Sequence, residues 1–570
     1  MKSCLFLSKR GGSLLIDYPI LTIFFTNIGE SLASKIPSTT RSPMSYLTHI
    51  YHKTIFLRPV SKNELILIMK QLKSNTSAGY DDLSPKVLQY GHQLLIDPLK
   101  HLVNLSLSQG IFPDELKIAK VLPLFKGGNQ AVFNNYRPIS ILCSLSKIFE
   151  RIFYNRLFEF LKQEDILYDK QFGFRKAHST DMALTLLLDQ ISHAMEQGEY
   201  VLGVFLDFSK AFDTVNHDIL LSKLDHYGIR GVANKWVSSY LSNRTQYVSY
   251  DGHTSVSKNI KCGVPQGSIL GPLLFLIYIN DLSKISHHLY MIMFADDTNV
   301  FLSGQNLAEL ESVMNSELKC MYEWLCANKL SLNINKTHYM IFAPARKKIL
   351  YDCHLRIENE EISRVYETKF LGVMLDSNLT WKSHIKYIKS KLCKSLGIIG
   401  KARRYLHKES LVNLYYSFLY PYLVFCITIW GGACISTLQP LISIQKRALR
   451  IICSVSRISA SLPLFKSLKM LPIRQIYHLQ LIMFVYKFKQ GILPDIFNNF
   501  FTKTTDIHTY RTRQFHNFYP PRCKTDISKS LVRYNGCVVW NSLQQDLKNI
   551  DVSPFTFKKH ILKQLHDSQL

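Results

Sequence analysis

The feature that most constrains the fold is a pair of apolar, β-prone runs that each lead to an aspartate. The first, EYVLGVFLDF, closes on Asp207, and the second, LYMIMFADDTNVFLSG, is interrupted by Asp296 and Asp297. A continuous apolar run is typical of a buried central strand, and two such runs around a short polar break are typical of a hairpin. The sequence therefore predicts adjacent strands whose ends bring these carboxylates together.

The stretch from Tyr200 to Phe342 indicates the fold class. Its periodicity and turn signals predict the order strand, helix, hairpin, helix, strand. This order predicts an α+β fold with mainly antiparallel pairing, not a doubly wound parallel sheet. Upstream, KVLPLFKGGNQAVFNNYRPISIL predicts a basic β-hairpin with Lys126 and Arg137 flanking its tip. Amphipathic helices are predicted over 61–72, 144–162 and 181–196, and a strongly basic helical region beyond about residue 376.

The charge balance indicates an anionic partner. The 570 residues include 69 Lys and Arg against 42 Asp and Glu, which gives a formal net charge of +27. This surplus suits nucleic acid, but charge alone fits equally well a merely basic soluble protein or one that adsorbs to anionic membranes. The 12 cysteines form no Cys-x-x-Cys pair and no Cys/His cluster at zinc spacing. That pattern is typical of reduced thiols in an intracellular protein.

Two segments bear on membranes and secretion. The first apolar run, Cys4–Leu7, is too short for a signal peptide, so secretion is not expected. The uncharged stretch Leu411–Gln445 is long enough to cross a bilayer, but Asn413, Pro421 and a Gly-Gly pair interrupt it. This pattern favours buried helices over a membrane anchor. We expect a protein that acts inside the cell, in the nucleus, the cytoplasm or both.

Converging carboxylates suit the transfer of a nucleotide to a hydroxyl. That reaction requires in-line geometry and neutralisation of triphosphate charge, which two divalent ions about 4 Å apart supply. Hard cations prefer carboxylate oxygens, so Asp207 and Asp296 could form such a pair across adjacent strands. Taken alone, Asp296-Asp297 is explained more simply as a turn. Two carboxylates at the tip of a half-buried hairpin would nevertheless repel each other unless a cation joined them.

Three motifs resemble those of reverse transcriptases and follow one another in the family's order. FLDFSKAFDTVNH resembles the first catalytic motif, GVPQGSILGPLLF the nucleotide-site loop and helix, and FADDT the metal-binding hairpin. NNYRPISIL, QFGFRKAHST, LSLNINKT and KFLGVML also match, so the resemblance covers roughly residues 50–460. The residues of these motifs most resemble those of LINE-type non-LTR retrotransposons, especially jockey-like and related animal lineages.

This resemblance implies roles for individual residues. Asp207, Asp296 and Asp297 would be the catalytic carboxylates and, with the Phe208 carbonyl, would bind two Mg²⁺ ions, for which Mn²⁺ could substitute. A structural role in the hairpin stays open for Asp297. Phe212 would stand against the 2′ position of the sugar and favour dNTPs, or else belong to the core.

The remaining implied contacts are with the nucleotide and the primer. The residues implied to bind the nucleotide are Gln266, Gly267, Lys126, Arg137 and Lys336. Arginine offers a forked contact to phosphate and lysine a point charge, although Lys126 and Arg137 could also be ordinary surface charges. Leu371 and Gly372 resemble the primer-gripping turn.

The architecture implied by the resemblance is the right-hand polymerase fold, with fingers, a palm with an antiparallel sheet, a helical thumb and a helical C-terminal region. The implied regions are a linker remnant over 1–50, fingers over 51–199, palm over 200–375, basic thumb over 376–455 and a region of unassigned role over 456–570. Neither a membrane nor a stable protein partner is inferred.

The expected function is RNA-directed DNA polymerisation. The implied partners are an RNA template, a DNA primer or nicked target DNA, and dNTPs. Members of this lineage usually carry an apurinic-type endonuclease ahead of the polymerase, and 570 residues leave no room for one, so we expect a truncated element or a shortened reading frame. Two alternatives stay open: a group II intron-type reverse transcriptase, and a catalytically idle remnant that still binds nucleic acid.

Overall fold

The computed structural model describes residues 9–10, 13–14, 18–344, 347–507 and 517–567. The run Cys4–Leu7 considered above lies outside these residues, as does part of the predicted segment 1–50. The strands are β1 Lys9–Arg10, β2 Ser13–Leu14, β3 Ile118–Phe125, β4 Tyr136–Ile141, β5 Tyr200–Leu206, β6 Thr245–Tyr250, β7 His253–Thr254, β8 Lys258–Asn259, β9 Tyr290–Phe294, β10 Asp297–Gly304, β11 His338–Phe342, β12 Arg356–Ile357, β13 Glu360–Glu361, β14 Ser363–Arg364, β15 Glu367–Phe370, β16 Val373–Asp376, β17 Thr502–Lys503 and β18 Phe518–Tyr519.

Helices occupy most of the remaining described chain. They are α1 Tyr18–Ala33, α2 Lys62–Gln71, α3 Pro85–Tyr90, α4 His92–Gln109, α5 Ser144–Gln163, α6 Thr180–Glu196, α7 His217–His226, α8 Val232–Leu241, α9 Gly271–Ile279, α10 Leu307–Ala327, α11 Lys382–Ala402, α12 Lys408–Leu414, α13 Tyr420–Val424, α14 Ile427–Trp430, α15 Ile435–Ile452, α16 Leu462–Ser467, α17 Ile473–Lys489, α18 Asp526–Ser530, α19 Val532–Asn541, α20 Gln545–Asn549 and α21 Pro554–Asp567. The helices predicted over 61–72, 144–162 and 181–196 are confirmed as α2, α5 and α6.

The central sheet has the strand order β14-β11-β5-β10-β9. β5 pairs antiparallel with both β10 and β11, and the parallel pair is β11 with β14. The predicted α+β layout with mainly antiparallel pairing is therefore confirmed. Every residue of β5 is buried, as expected for a central strand with helices on both faces.

Two hydrophobic cores lie on opposite faces of this sheet. Alternation along β5 directs Leu202 and Val204 into one core, with α2, α4, α5 and α7 to α10, and Val201 and Phe205 into the other, with α6, α11, α15, α17 and α19. The C-terminal helices thus share a core with the sheet. They also bond to α6 directly: Arg533 contacts Asp189 at 3.0 Å, and Glu196 accepts from the Lys524 nitrogen at 2.8 Å.

A second sheet, with the path β4-β3-β6-β7, carries the predicted basic hairpin. β3 and β4 pair antiparallel from Lys120↔Ile141 to Phe125↔Tyr136, and the Lys126 nitrogen donates to the Asn135 carbonyl at 2.8 Å to close the loop. The hairpin prediction is confirmed, and Lys126 and Arg137 flank its tip. α1 packs against this sheet beside β6 and β8.

The uncharged stretch 411–445 forms several short elements. α12 is followed by a π-helix over Tyr415–Leu419, then by α13 and α14, before α15 begins at Ile435. In the described part of the chain, no helix is both long and apolar enough to cross a membrane. The prediction of buried helices holds only in part, because Tyr416, Phe418 and Phe425 keep more than 40% of their surface exposed.

A buried ion pair ties three helical elements together within the first core. The Lys223 ammonium on α7 lies 2.5 Å from the Asp281 carboxylate, and both side chains are fully buried. The Trp324 indole on α10 donates to the other Asp281 oxygen at 2.8 Å. Because water cannot reach these groups, each charge depends on the other for its solvation.

Removing one member of this pair should destabilise the protein strongly. Lys223→Met leaves an unpaired buried carboxylate, which we expect to lower the free energy of unfolding by about 3–5 kcal/mol. Chemical denaturation measures the loss. The matched control is Lys62→Met, which breaks an exposed Lys62–Asp97 pair of 2.6 Å and should cost about 1 kcal/mol or less. Equal losses in the two variants would contradict the importance of the buried pair.

Candidate active site

Asp207 and Asp297 lie side by side at one end of the central sheet. Asp207 is the first residue after β5, and the register of β5 with β10 pairs Leu206 with Thr298. One step further along each strand, Asp207 and Asp297 therefore stand opposite each other. The predicted placement of a carboxylate at the end of β5 is confirmed.

Asp296 occupies the tip of the hairpin formed by β9 and β10. Phe294 pairs with Asp297, so Ala295 and Asp296 form a two-residue turn. Ala295 has a φ of +57°, the left-handed conformation that such tight hairpin turns require. The predicted hairpin is confirmed, with its two acidic residues at the same end of the sheet as Asp207.

The loop between α5 and α6 supports this turn from behind. Gln171 Oε1 accepts hydrogen bonds from the backbone nitrogens of both Ala295 and Gly173 at 2.9 Å, and the Phe172 nitrogen donates to the Met293 carbonyl at 2.8 Å. Gly173 packs so closely that a Cβ would lie 2.2 Å from the Ala295 nitrogen. The motif QFGF therefore positions the acidic turn, a role that the sequence did not indicate.

Burial and the neighbouring carboxylates raise the pKa values of Asp296 and Asp297. Desolvation, together with repulsion from Asp296 and Asp207, raises the pKa of Asp297 to about 6. Desolvation and Asp207 also raise the pKa of Asp296, while Arg137 and Lys126 act in the opposite direction. The mutual repulsion would be relieved by a cation placed among these oxygens.

Asp207 is held by the segment that precedes β11. Asn333 Nδ2 donates to Asp207 Oδ2 at 2.9 Å, and the Asn333 nitrogen donates to the Asp207 carbonyl at 2.8 Å. Lys336 Nζ lies 3.7 Å from the same Oδ2, and the next residue, Phe208, is buried and bridges to Leu332. Among the described residues, no group of three or more His, Cys, Asp or Glu side chains is already arranged to hold a metal ion.

Four cations cluster at this end of the sheet, and three of them, Lys126, Arg137 and Lys336, lie within electrostatic reach of the aspartates. Desolvation and the nearby Arg137 and Lys336 lower the pKa of Lys126, whereas Asp207 and Asp296 act to raise it. The tip of the β3–β4 hairpin is thus within electrostatic reach of the carboxylates. The fourth cation, Lys210, donates to the Tyr136 carbonyl at 3.2 Å. Lys210 was missed by the sequence analysis, although it lies only three residues after Asp207.

Phe212 lies in the short turn after β5 and contacts two other aromatic rings. Its ring stacks on Phe275 with a centroid distance of 4.5 Å and meets the edge of Phe174 at 5.8 Å. The Phe212 carbonyl accepts from the Val264 nitrogen at 2.8 Å. The structure therefore brings Phe212 beside the loop that contains Gln266.

The loop containing Gln266 and Gly267 is fixed by backbone contacts to β4. The Ser140 nitrogen donates to the Gln266 carbonyl at 2.8 Å. Gly267 has a φ of +136°, and a Cβ there would lie 2.2 Å from the Ser140 carbonyl oxygen. The Gln266 side chain donates from Nε2 to Asp213 Oδ1 at 2.8 Å.

A buried glutamate orients the start of α9, which follows this loop. The Glu150 carboxylate on α5 accepts hydrogen bonds from the nitrogens of Ile269 at 2.7 Å and Leu270 at 3.1 Å, and from Ser146 Oγ at 2.9 Å. These bonds satisfy nitrogens that a helix start leaves without intrahelical partners. Glu150 was also missed by the sequence analysis.

Leu371 and Gly372 lie on a separate hairpin, formed by β15 and β16. They form its two-residue turn, with φ values of +45° and +87°. A Cβ at Gly372 would come within 2.9 Å of the Phe425 ring. This turn therefore packs against the helical region after residue 376, and its position relative to a primer stays a prediction.

Comparison with known proteins finds a matching family. Residues 126–375 match the family model for reverse transcriptase (RNA-dependent DNA polymerase). Over this segment the chain is similar to the reverse transcriptase family. The match begins at Lys126 and includes the acidic cluster, the loop around Gln266 and the β15–β16 hairpin.

Relatives of the reverse transcriptase segment come from mobile elements of Drosophila melanogaster. The chain is 30% identical to the probable RNA-directed DNA polymerase from transposon BS, over 70% of this chain and 45% of that protein. It is 30% identical to the RNA-directed DNA polymerase from mobile element jockey, over 72% and 46% of the two chains. It is 27% identical to the probable RNA-directed DNA polymerase from transposon X-element, over 73% of this chain and 46% of that protein. The chain thus resembles the reverse transcriptases of LINE-type non-LTR retrotransposons, and spans just under half the length of these relatives.

Closing the space behind the acidic turn should destabilise the reverse transcriptase segment. In Gly173→Ala the added methyl group collides with the Ala295 backbone, and we expect a loss of about 1–3 kcal/mol in unfolding free energy. The matched control is Gly397→Ala on α11, where a Cβ meets nothing within 4 Å and should be neutral or stabilise by up to about 1 kcal/mol. Chemical denaturation compares the two variants. An unchanged stability of Gly173→Ala would show that the loop does not support the turn.

Proposed function

We propose that this chain is an RNA-directed DNA polymerase, which transfers nucleotides from dNTPs to the 3′-hydroxyl of a primer on an RNA template. The observation that carries the proposal is the group of three aspartates at adjacent strand ends, with Lys126, Arg137 and Lys336 within electrostatic reach. A triphosphate has the charge and the extent to lie between such groups. Similarity to the reverse transcriptase family supports this reading.

Asp207, Asp296 and Asp297 would hold two divalent ions, for which Mg²⁺ is the expected species. The donor set fits, because hard cations bind carboxylate oxygens and the carboxylates repel one another without one. When bound, the ions would neutralise the triphosphate and favour ionisation of the primer hydroxyl. Asp207 would then exchange its contact with Lys336 for the cation, which frees the Lys336 ammonium to face phosphate.

The basic hairpin would bind the triphosphate. Lys126 and Arg137 are exposed at its tip, and their electrostatic influence reaches the aspartates. Arg137 offers a forked contact to phosphate oxygens, whereas Lys126 and Lys210 act as point charges. We place Gln266 and Phe212 on the sugar and base side of the nucleotide, because they adjoin the same end of β5.

The regions would form a right hand. We assign the fingers to 51–199, which include the basic hairpin, the palm to 200–375, which include most of the central sheet, and the thumb to 376–455. The segment 1–50 would be a linker remnant, and 456–570 stay without an assigned role. The support for this division is the position of the acidic cluster on the sheet, with a basic helical region following it.

The thumb surface would track the duplex backbone. α11 buries Ile385, Ile388 and Leu392 and contains no acidic residue. Its exposed lysines are Lys382, Lys386, Lys389, Lys394 and Lys401. Ser395 Oγ donates to the Phe418 carbonyl at 2.9 Å, which joins this helix to the partly exposed aromatic segment. Basic and aromatic side chains together suit nucleic acid, and the names of the relatives suggest the RNA of a mobile element as the template.

Loss of an aspartate should abolish synthesis. On an oligonucleotide-primed RNA template with dNTPs and Mg²⁺, we expect Asp207→Ala and Asp296→Ala to slow extension by roughly a thousandfold or more, and Asp297→Ala by less. The control is Asp225→Ala, an exposed aspartate on α7. No extension by the unaltered protein, or undiminished extension by Asp296→Ala, would contradict the proposal. Salt-sensitive RNA binding without incorporation would instead select a catalytically idle remnant.

Trimming Phe212 should relax the choice of sugar. If the ring excludes a 2′-hydroxyl, Phe212→Ala will raise the use of rNTPs relative to dNTPs by roughly tenfold or more in kcat/KM. Phe174→Ala is the matched control, because it removes a ring in contact with Phe212 and leaves the proposed gate in place. A lower melting temperature of Phe212→Ala with unchanged selectivity would assign the ring to the core.

A further inference from the structure

The side chain of Gln266 is oriented by a single carboxylate. Gln266 Nε2 donates to Asp213 Oδ1 at 2.8 Å, and within the described ranges no residue donates to Gln266 Oε1. The other Asp213 oxygen, Oδ2, is shielded from solvent and has no hydrogen-bond partner among these residues. Among the described residues, the Asp213 carboxylate therefore accepts a single hydrogen bond, from Gln266.

Two glycines pack closely against the backbone of Asp213. A Cβ at Gly29 would lie 2.2 Å from the Asp213 carbonyl oxygen, and one at Gly263 would lie 2.9 Å from its Cα. Gly263 has a φ of +86°, so this close approach also requires a glycine conformation. Asp213 and Gln266 line the same small cavity of about 30 Å³. The backbone that carries the Asp213 carboxylate is thus fixed beside Gln266.

The chemistry of the pair decides which end of the amide faces outward. An ionised carboxylate only accepts hydrogen bonds, whereas an amide presents a donor on one side and an acceptor on the other. Desolvation raises the pKa of Asp213 to about 6, while the hydrogen bond from Gln266 and the charges of Lys210 and Lys126 oppose this rise. At pH 8 the carboxylate is therefore ionised, and it must face the Gln266 NH₂ group.

We propose that Asp213 is a positioning residue that turns the Gln266 carbonyl oxygen toward the incoming dNTP, where it accepts a hydrogen bond from a hydroxyl or amino group. This inference rests on the proposed function and deepens it. Asp213 does not touch the nucleotide itself. It acts by making one of the two amide orientations of Gln266 strongly favoured.

The test is the affinity for dNTP in a complex that cannot react. Protein bound to an RNA template and a dideoxy-terminated DNA primer is titrated with the matched dNTP at pH 8. Asp213→Asn is isosteric but offers the Gln266 amide a donor as well as an acceptor, so both orientations of the amide become populated and we expect the affinity to fall by about twofold or more. The matched control, Asp225→Asn on the exposed side of α7, should bind as the unaltered protein does.

A double-mutant cycle separates positioning from a general structural effect. If Asp213 acts through Gln266, Asp213→Asn will have no further effect in a Gln266→Ala background. Unchanged affinity of Asp213→Asn, or the same loss in both backgrounds, would overturn the proposal. Should Asp213→Asn fail to fold, Gln266→Met leaves the carboxylate in place, and retained dNTP affinity in that variant would equally overturn it.

Failure of the proposed function would be seen separately. It would be recorded as absence of extension from a primer with a free 3′-hydroxyl, which is a different measurement from nucleotide binding to the blocked primer. A protein that binds dNTP but does not extend would refute polymerase activity and still report on Asp213.

Discussion

The antiparallel pairing of β5 with β10 is the interaction on which the rest of the molecule depends. It places Asp207 beside Asp297, and it also decides which side chains of β5 enter each of the two cores. A slip of one residue would exchange the two faces of the strand and move the carboxylates apart at the same time. The same register of β5 with β10 is therefore required both for packing the two cores and for bringing the aspartates together.

Side chains remote in sequence then complete the site, and nearly all do so through the backbone. Gln171 and Glu150 bond to the main chain of the acidic turn and of the start of α9, and Asn333 bonds to both the carbonyl and the carboxylate of Asp207. Groups held in this way lose little further entropy when a ligand binds. Glycine also allows two backbones to come into close contact: Gly173 packs behind Ala295, and Gly267 packs against β4.

Local patterns were sufficient to predict β3, β4, β5, β9, β10 and β11, the two hairpins, several helices and the placement of Asp207 and Asp296 at strand ends. They could not indicate Glu150, Gln171 or Asp213. The hydrogen-bond partners of these residues lie 119, 124 and 53 positions away, and periodicity reports only on neighbours. The burial of the stretch 411–445 was predicted only in part. An uncharged aromatic run predicts burial, but the sequence does not show whether another element covers it.

The shared core of the sheet and the C-terminal helices has a consequence for how the chain can be divided. Phe205 on β5, Trp540 on α19 and Phe557 on α21 belong to one buried cluster, although Phe205 lies more than 300 residues from the other two. A shortened chain that ended before residue 456 would leave one face of this apolar layer uncovered. Such a chain would retain every proposed catalytic residue and still be poorly soluble. The segment that contains the proposed catalytic residues is therefore shorter than the segment needed to complete the hydrophobic core.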